Sequence, residues 1–266
     1  MSKAKLYIGT SGWSYDDWLG VFYPTATSKN KMLEYYATQF NSVEVNMSYY
    51  NIPQAKWVEN WVKQTQKQVM FTMKAHQSLT HFPDFNEYQH NAHVFKSCLE
   101  PLLKHKLLLC VLTQFPQSFH YETDERKYLD LLLKEMRDIP MVVEMRNKQW
   151  QNEQVYKELE GRKIGWCITD NPKLKDLLET QYTATSDLAY MRFHGRNAEM
   201  WYKGDNVSRY DYNYSDDELE EFINPLLMLL MNARIVQLFF NNHAKGKAAV
   251  NAKKLEYLLK QKQLTS

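Results

Sequence analysis

The sequence predicts a single (β/α)8 barrel of the TIM type, and three observations carry that prediction. The chain has 266 residues, close to the ~250 typical of a one-domain α/β barrel. Eight short apolar or β-branched runs alternate with longer stretches of helical periodicity, the pattern of repeated βα units around a parallel sheet. Polar and charged residues recur at every second position inside several of those runs, as expected of strands that turn one face into a barrel interior.

In chain order, the strands are expected at residues 6–10, 42–46, 69–75, 107–114, 141–146, 164–169, 188–194 and 234–241. The first helix, 30–40, places Met32, Leu33, Tyr36 and Phe40 on one face, and Trp57 and Trp61 mark an i, i+4 face in the second. Helices at 91–104, 124–138 and 152–160 each open on a residue suited to an N-cap, Asn91, Asp124 and Asn152, and Gly161 stands where a C-cap is wanted. Ser215-Asp216-Asp217-Glu218 reads as a capping box before a helix over 219–231, with Pro225 bending it. A last helix covers 247–263. Two loop-rich stretches, 12–28 and 196–214, follow the first and seventh strands, so both are expected over the same barrel end, as a lid.

Composition narrows the function classes. Lys and Arg number 33 against 31 Asp and Glu, a net charge of +2 that excludes a strong overall field toward nucleic acid or membrane. Residues 1–9 lack the apolar stretch of a signal peptide, no run is long and apolar enough to cross a membrane, and the expectation is a cytoplasmic protein without a membrane partner. The three widely spaced cysteines, Cys98, Cys110 and Cys167, suit reduced core thiols better than a zinc site. No glycine-rich nucleotide fingerprint, Walker loop, nucleophile elbow or HExxH motif occurs, so no cofactor is assigned. The residues carry no signal for an oligomeric state.

The chemistry is expected at the strand ends. Glu44 and Asn46, Lys74 and His76, Glu144 and Arg146, and Arg192 and His194 each alternate with apolar neighbours, while Gln114, Asp170 and Asn241 end their own strands. In a parallel barrel all of these converge at the C-terminal mouth, where barrel enzymes keep their catalytic groups. A structural ion-pair network of the same residues is the competing explanation, because buried charges must be paired whatever their purpose.

The segments Ile8 to Tyr15 with Phe22-Tyr23-Pro24, Phe40 to Asn46 with Tyr49-Tyr50, and Met73 to His76 with Leu79-Thr80-His81 form an ordered set. It continues with Leu112 to Pro116, Val143 to Arg146 with Trp150, Arg192 to Arg196 with Trp201-Tyr202, and Phe240 to His243. In these pieces, which span nearly the whole chain, the sequence resembles the family called domain of unknown function 72, also known as YecE-like proteins. The resemblance implies a barrel fold. Met47, where relatives carry a small hydroxyl residue, and Asn147-Lys148-Gln149, where they more often hold His or Pro before Trp150, depart from the family's pattern.

The leading functional expectation is a hydrolase, lyase or isomerase working by acid/base chemistry on a small anionic substrate, whether phosphorylated, carboxylated or sugar-like. Glu144 is the expected general base and Lys74 or His194 its acid partner, with Glu44 beside them. Arg146 and Arg192 are expected to fork onto the anion. Trp13, Asn46, His76, Gln114, Trp150, Arg196, Tyr202, Asn241 and Asn242 complete the expected substrate contacts, and the loops after strands seven and eight are a second place for a phosphate. Glu144→Gln is expected to abolish turnover and spare the fold.

Two other readings stand beside it. A barrel that binds or processes nucleic acid or nucleotides, in the manner of repair endonucleases, would use Glu44, His76, Glu144, Asp170 and His194 on metal ions, but Lys74, Arg146 and Arg192 among them argue against a multi-metal centre, and no metal site is predicted. Its phosphate contacts would come from Lys245, Lys247, Lys253 and Lys254. Isolated histidines such as His81, His90, His93, His105 and His120 are read as surface or helix residues. The third reading is a barrel that binds a metabolite without turning it over.

Overall fold

The computed structural model describes residues 4–205 and 207–262. Eight strands run parallel: β1 Lys5–Thr10, β2 Ser42–Val45, β3 Met70–Lys74, β4 Leu108–Phe115, β5 Met141–Met145, β6 Gly165–Asp170, β7 Leu188–Phe193 and β8 Ile235–Phe240. They form one sheet in the order β1-β8-β7-β6-β5-β4-β3-β2, which rolls into the expected barrel. The helices are α1 Met32–Gln39, α2 Met47–Tyr50, α3 Ala55–Gln64, α4 Tyr88–Lys104, α5 Thr123–Glu135, α6 Glu153–Gly161, α7 Asp216–Glu221, α8 Ile223–Asn232 and α9 Lys247–Gln261. β6 passes to β7 through residues 171–187 without a helix. The final residue of the expected last helix, Gln263, lies outside the described residues.

Side chains close the barrel between β1 and β2. The Tyr36 hydroxyl of α1 accepts the Thr10 amide at 2.9 Å and donates to the Ser42 carbonyl at 3.0 Å, standing in for a ladder bond. The Asn41 side chain links Ile8 N and Leu6 O in the same way, each at 3.1 Å. Gly9 permits this approach, because a Cβ there would meet the Ser42 oxygen at 2.1 Å.

Period-two alternation divides the core. Outward residues such as Val43, Met73, Val143, Met191 and Leu238 join the apolar layer under the helices, while Cys110, Leu112, Val142, Cys167, Tyr190 and Phe239 fill the interior. All three cysteines are free and buried, and burial pushes the thiols of Cys98 and Cys110 up to about 12.

Several local expectations differ from the fold. α4 begins at Tyr88, one turn before Asn91, and α5 at Thr123, so neither Asn91 nor Asp124 caps a helix. Asn152 does cap α6, accepting the Val155 amide at 3.0 Å. Gly161 is still helical, and the left-handed turn falls on Lys163. Trp61 is buried but Trp57 is exposed, because the face that α3 buries runs through Val58, Trp61 and Val62. The capping box at Ser215 and Glu218 is present, but it starts the short α7, and the chain breaks at Phe222 before α8 carries Pro225 in its first turn.

Candidate active site

The strands deliver a buried ion-pair network to the C-terminal end of the barrel. Arg192 of β7 donates from its two terminal nitrogens to Glu44 of β2 and Glu144 of β5, both at 2.7 Å. All three side chains are essentially sealed from solvent. Tyr190 donates to the second Glu44 oxygen at 2.6 Å. Arg146 Nε lies 2.8 Å from Glu144 Oε1. His194 accepts the Asn241 amide on Nδ1 at 3.1 Å, which puts its proton on Nε2, 3.3 Å from the same Glu144 oxygen.

Electrostatics follow from this packing. Burial alone would raise the Glu144 carboxyl, but Arg192 and Arg146 outweigh it and hold the group well below the usual carboxylate range. Burial and the nearby Arg146 lower His194 to about 3 despite Glu144, so the ring is neutral at physiological pH. Glu144 and Glu44 raise Arg192 well above its ordinary value against the pull of burial.

Above this floor opens a pocket of about 560 Å³. Its cationic lining groups are Lys74, Arg146, Arg192 and Arg209, and no carboxylate is among its lining residues. Lys74 Nζ donates to Gln114 Oε1 at 2.9 Å and sits 4.3 Å from the centre of the Tyr49 ring. Burial, reinforced by Arg192 and Arg146 and opposed by Glu144 and Glu44, lowers this ammonium to about 7.

The two loop-rich stretches supply the walls. Tyr15, from the loop after β1, stacks on His243 at 4.9 Å, and Trp18 donates to the His243 carbonyl at 2.7 Å. From the loop after β7, Tyr210 and Trp201 lean over His194, and the Arg146 guanidinium lies 5.9 Å from the Trp201 ring. Arg146 also reaches the Tyr210 hydroxyl at 3.4 Å. Burial would raise that phenol, but Arg146 and Arg192 bring it below its ordinary value.

Of the residues singled out in the sequence, Asn46, Lys74, Gln114, Arg146, Arg192, Tyr202 and Asn241 line the pocket, with Glu44, Glu144 and His194 beneath it. Others lie elsewhere. Trp13 packs edge-on against Trp61, and Trp150 is buried against Phe119 and donates to its carbonyl. His76 caps the turn at Ser78, and Asn242 ties β8 to Tyr212 and Asn251. Asp170 ends β6 on the outward phase, in register with Phe193, and there it pairs with Arg196 at 3.0 Å and accepts the Tyr214 hydroxyl at 2.6 Å. Arg196 continues to Glu218 and Glu221, away from the pocket. Gly195, at φ +84°, makes the turn that sends it there, and a Cβ at that position would meet Tyr212 at 2.5 Å.

The expected phosphate groups after β8 are also committed. Lys245 and Lys247 both pair with Asp211, Lys254 pairs with Asp216, and Lys253 with Glu256 and the Gln39 carbonyl. In contrast, His81 lines the pocket instead of the surface, and burial beside Lys74 lowers it to about 4. Arg209 and Tyr210 escaped the sequence reading because they lie in a loop, where no periodicity marks an inward face. Among the described residues, no group of three or more His, Cys, Asp or Glu side chains converges as a metal site, and no helix is long and apolar enough to cross a membrane.

The family model described as "Protein of unknown function DUF72" matches residues 7–266. The chain belongs to the DUF72 family. It is similar to the UPF0759 protein YunF of Bacillus subtilis, 33% identical over 269 residues that cover 96% of this chain and 94% of that one. A DUF72 protein from Thermotoga maritima superposes with a TM-score of 0.87 at 33% identity, over 96% of this chain and 99% of its own. One from Enterococcus faecalis does so with a TM-score of 0.86 at 26% identity, over 96% and 95%.

Proposed function

We propose that this DUF72 barrel is an enzyme that binds a small carboxylated or phosphorylated substrate in the mouth pocket and moves a proton with Lys74. The observation that supports the reading most directly is the pocket lining, with four cationic side chains and no acid. Beneath it, Glu44 and Glu144 balance Arg192 and Arg146, so among the described residues Arg209 and protonated Lys74 are left without an acid partner. An anion neutralises that excess in a site of low dielectric, where the attraction is far stronger than in water.

This reading moves the proton-transfer role from Glu144 to Lys74. A carboxylate pinned by two guanidiniums beneath the pocket is a weak base. An amine lowered to about 7 is matched to neutral pH in both directions of transfer. Glu144 then acts as a positioning residue, orienting Arg192 and Arg146 toward the anion, and His194 fixes its carboxylate.

Half-exposed rings favour a second version of the substrate. Tyr50 and Tyr202, 56% and 59% exposed, line the pocket together with Tyr49 and Trp201. Flat faces beside fixed cations suit a nucleotide or an aromatic acid. The direct experiment is a calorimetric and turnover screen of phosphorylated and carboxylated metabolites, with nucleotides included. Saturable binding with turnover supports the enzyme, binding without turnover supports a metabolite sensor, and no binding of any anion removes the reading altogether.

A further inference from the structure

We propose that Lys74 is a covalent catalyst that forms an imine with the carbonyl group of an anionic aldehyde or ketone held in the mouth pocket. The proposal rests on the anion-site reading above, because the arginines are what would select the charged end of such a substrate.

Three observations carry it. Lys74 ends β3, so a rigid strand aims its Nζ into the pocket. Among the described residues its polar partner is a neutral amide, Gln114 Oε1 at 2.9 Å, and no carboxylate lies within ion-pair distance. The groups facing it are Glu44 from β2, Glu144 and Arg146 from β5, Arg192 from β7, His81 from the loop after β3 and the Tyr49 ring from α2, and Arg192 and Arg146 already hold both acids. A lysine retained for ion pairing would stand opposite a free acid. This one stands in a partly desolvated site beside two guanidiniums, the setting that keeps an amine neutral and nucleophilic.

The chemistry balances without a further reactant. The Nζ lone pair adds to the carbonyl carbon as the C=O π bond opens onto oxygen. The two hydrogens of the neutral amine leave with that oxygen as water, and a C=N bond remains. Protonated, the imine draws electrons from the adjacent carbon, which supports proton removal or carbon–carbon bond cleavage next to the former carbonyl. Arg146, Arg192 and Arg209 would meanwhile hold the carboxylate or phosphate.

The test is reductive trapping of the full chain at pH 7 with sodium cyanoborohydride and either glyoxylate or glycolaldehyde phosphate, mapped by peptide mass spectrometry. The neutral fraction of Lys74 predicts labelling at least about 100-fold faster than at exposed Lys29, Lys127 and Lys157. Inorganic phosphate should slow it, and acetaldehyde, which lacks the anion, should label Lys74 more slowly than either anionic probe does. Lys74→Arg should remove the fast phase while keeping phosphate binding, which guards against reading a misfolded variant as support. Surface labelling with Lys74 untouched by both anionic probes overturns the imine. If phosphate still binds under those conditions, the proton-transfer reading survives; if phosphate does not bind, both fall. Fast labelling of Lys74 that acetaldehyde matches and phosphate does not slow also overturns the proposal, since the anion would then play no part.

Discussion

Lys74 donates to the Gln114 side-chain oxygen at 2.9 Å, in a pocket where every other charged lining group is an arginine. Gln114 is neutral and leaves uncompensated the charge that Lys74 carries when protonated, while burial beside Arg192 disfavours that charge.

The pairing has a stability consequence with a definite sign. Lys74 is lowered to about 7 in the fold against ~10.4 in an unfolded chain. The unfolded state therefore binds more protons between these values, and stability rises with pH through that window. Below about 7 the fold carries the full penalty of the charge. Lys74→Met should raise the melting temperature at pH 6, by about 2–4 °C per kcal/mol relieved, and have little effect near pH 10. Thermal melts of both proteins at the two pH values check this.

Glu144→Gln should damage the fold, contrary to the expectation from sequence that it spares it. The substitution leaves the half-buried Arg146 without an acid partner and the buried Arg192 with Glu44 alone, and breaking such a buried pair costs about 3–5 kcal/mol. Urea denaturation should show that loss, whereas Asp124→Asn in an exposed pair should change stability by less than about 0.5 kcal/mol.

His194 gives the network an acid limit. Its folded value of about 3 lies below the ordinary 6.5, so the unfolded chain takes up the proton first, and stability falls as pH drops from 6.5 toward 3. His194→Gln should flatten the pH dependence of unfolding free energy across that interval. An unchanged slope would show that His194 does not set it.

Arg209 separates binding from folding. Its Nε makes no hydrogen bond among the described residues, and the side chain is partly exposed on a loop. Arg209→Ala should weaken binding of inorganic phosphate about tenfold, equivalent to ~1.4 kcal/mol, with an unchanged melting temperature. Titration calorimetry measures the first and a thermal melt the second.

The sequence made the barrel and its floor legible because both depend on period-two alternation, which strands cannot hide. Glu44, Lys74, Glu144, Arg146 and Arg192 stand on the inward phase of their strands, and the parallel order brings them to one end. Asp170 shows the limit of reading strand ends alone: one residue out of phase, it faces the helices and pairs with Arg196. Loops carry no such phase. Arg209, Tyr210 and His81 reach the pocket through turns whose direction depends on tertiary packing, and Trp13 and Trp150 have rim-like sequence positions but spend their rings on Trp61 and Phe119.

The central claim, that the pocket is an anion site with a titrating amine on its wall, is tested most directly by NMR of protein carrying 13Cε-labelled lysine. The Lys74 resonance, assigned through its loss in Lys74→Met, should titrate with a midpoint near 7 and move to higher pH when inorganic phosphate binds, since a bound anion favours the ammonium. A midpoint near the ordinary lysine value of ~10.4, or one that phosphate leaves unmoved, would contradict the account.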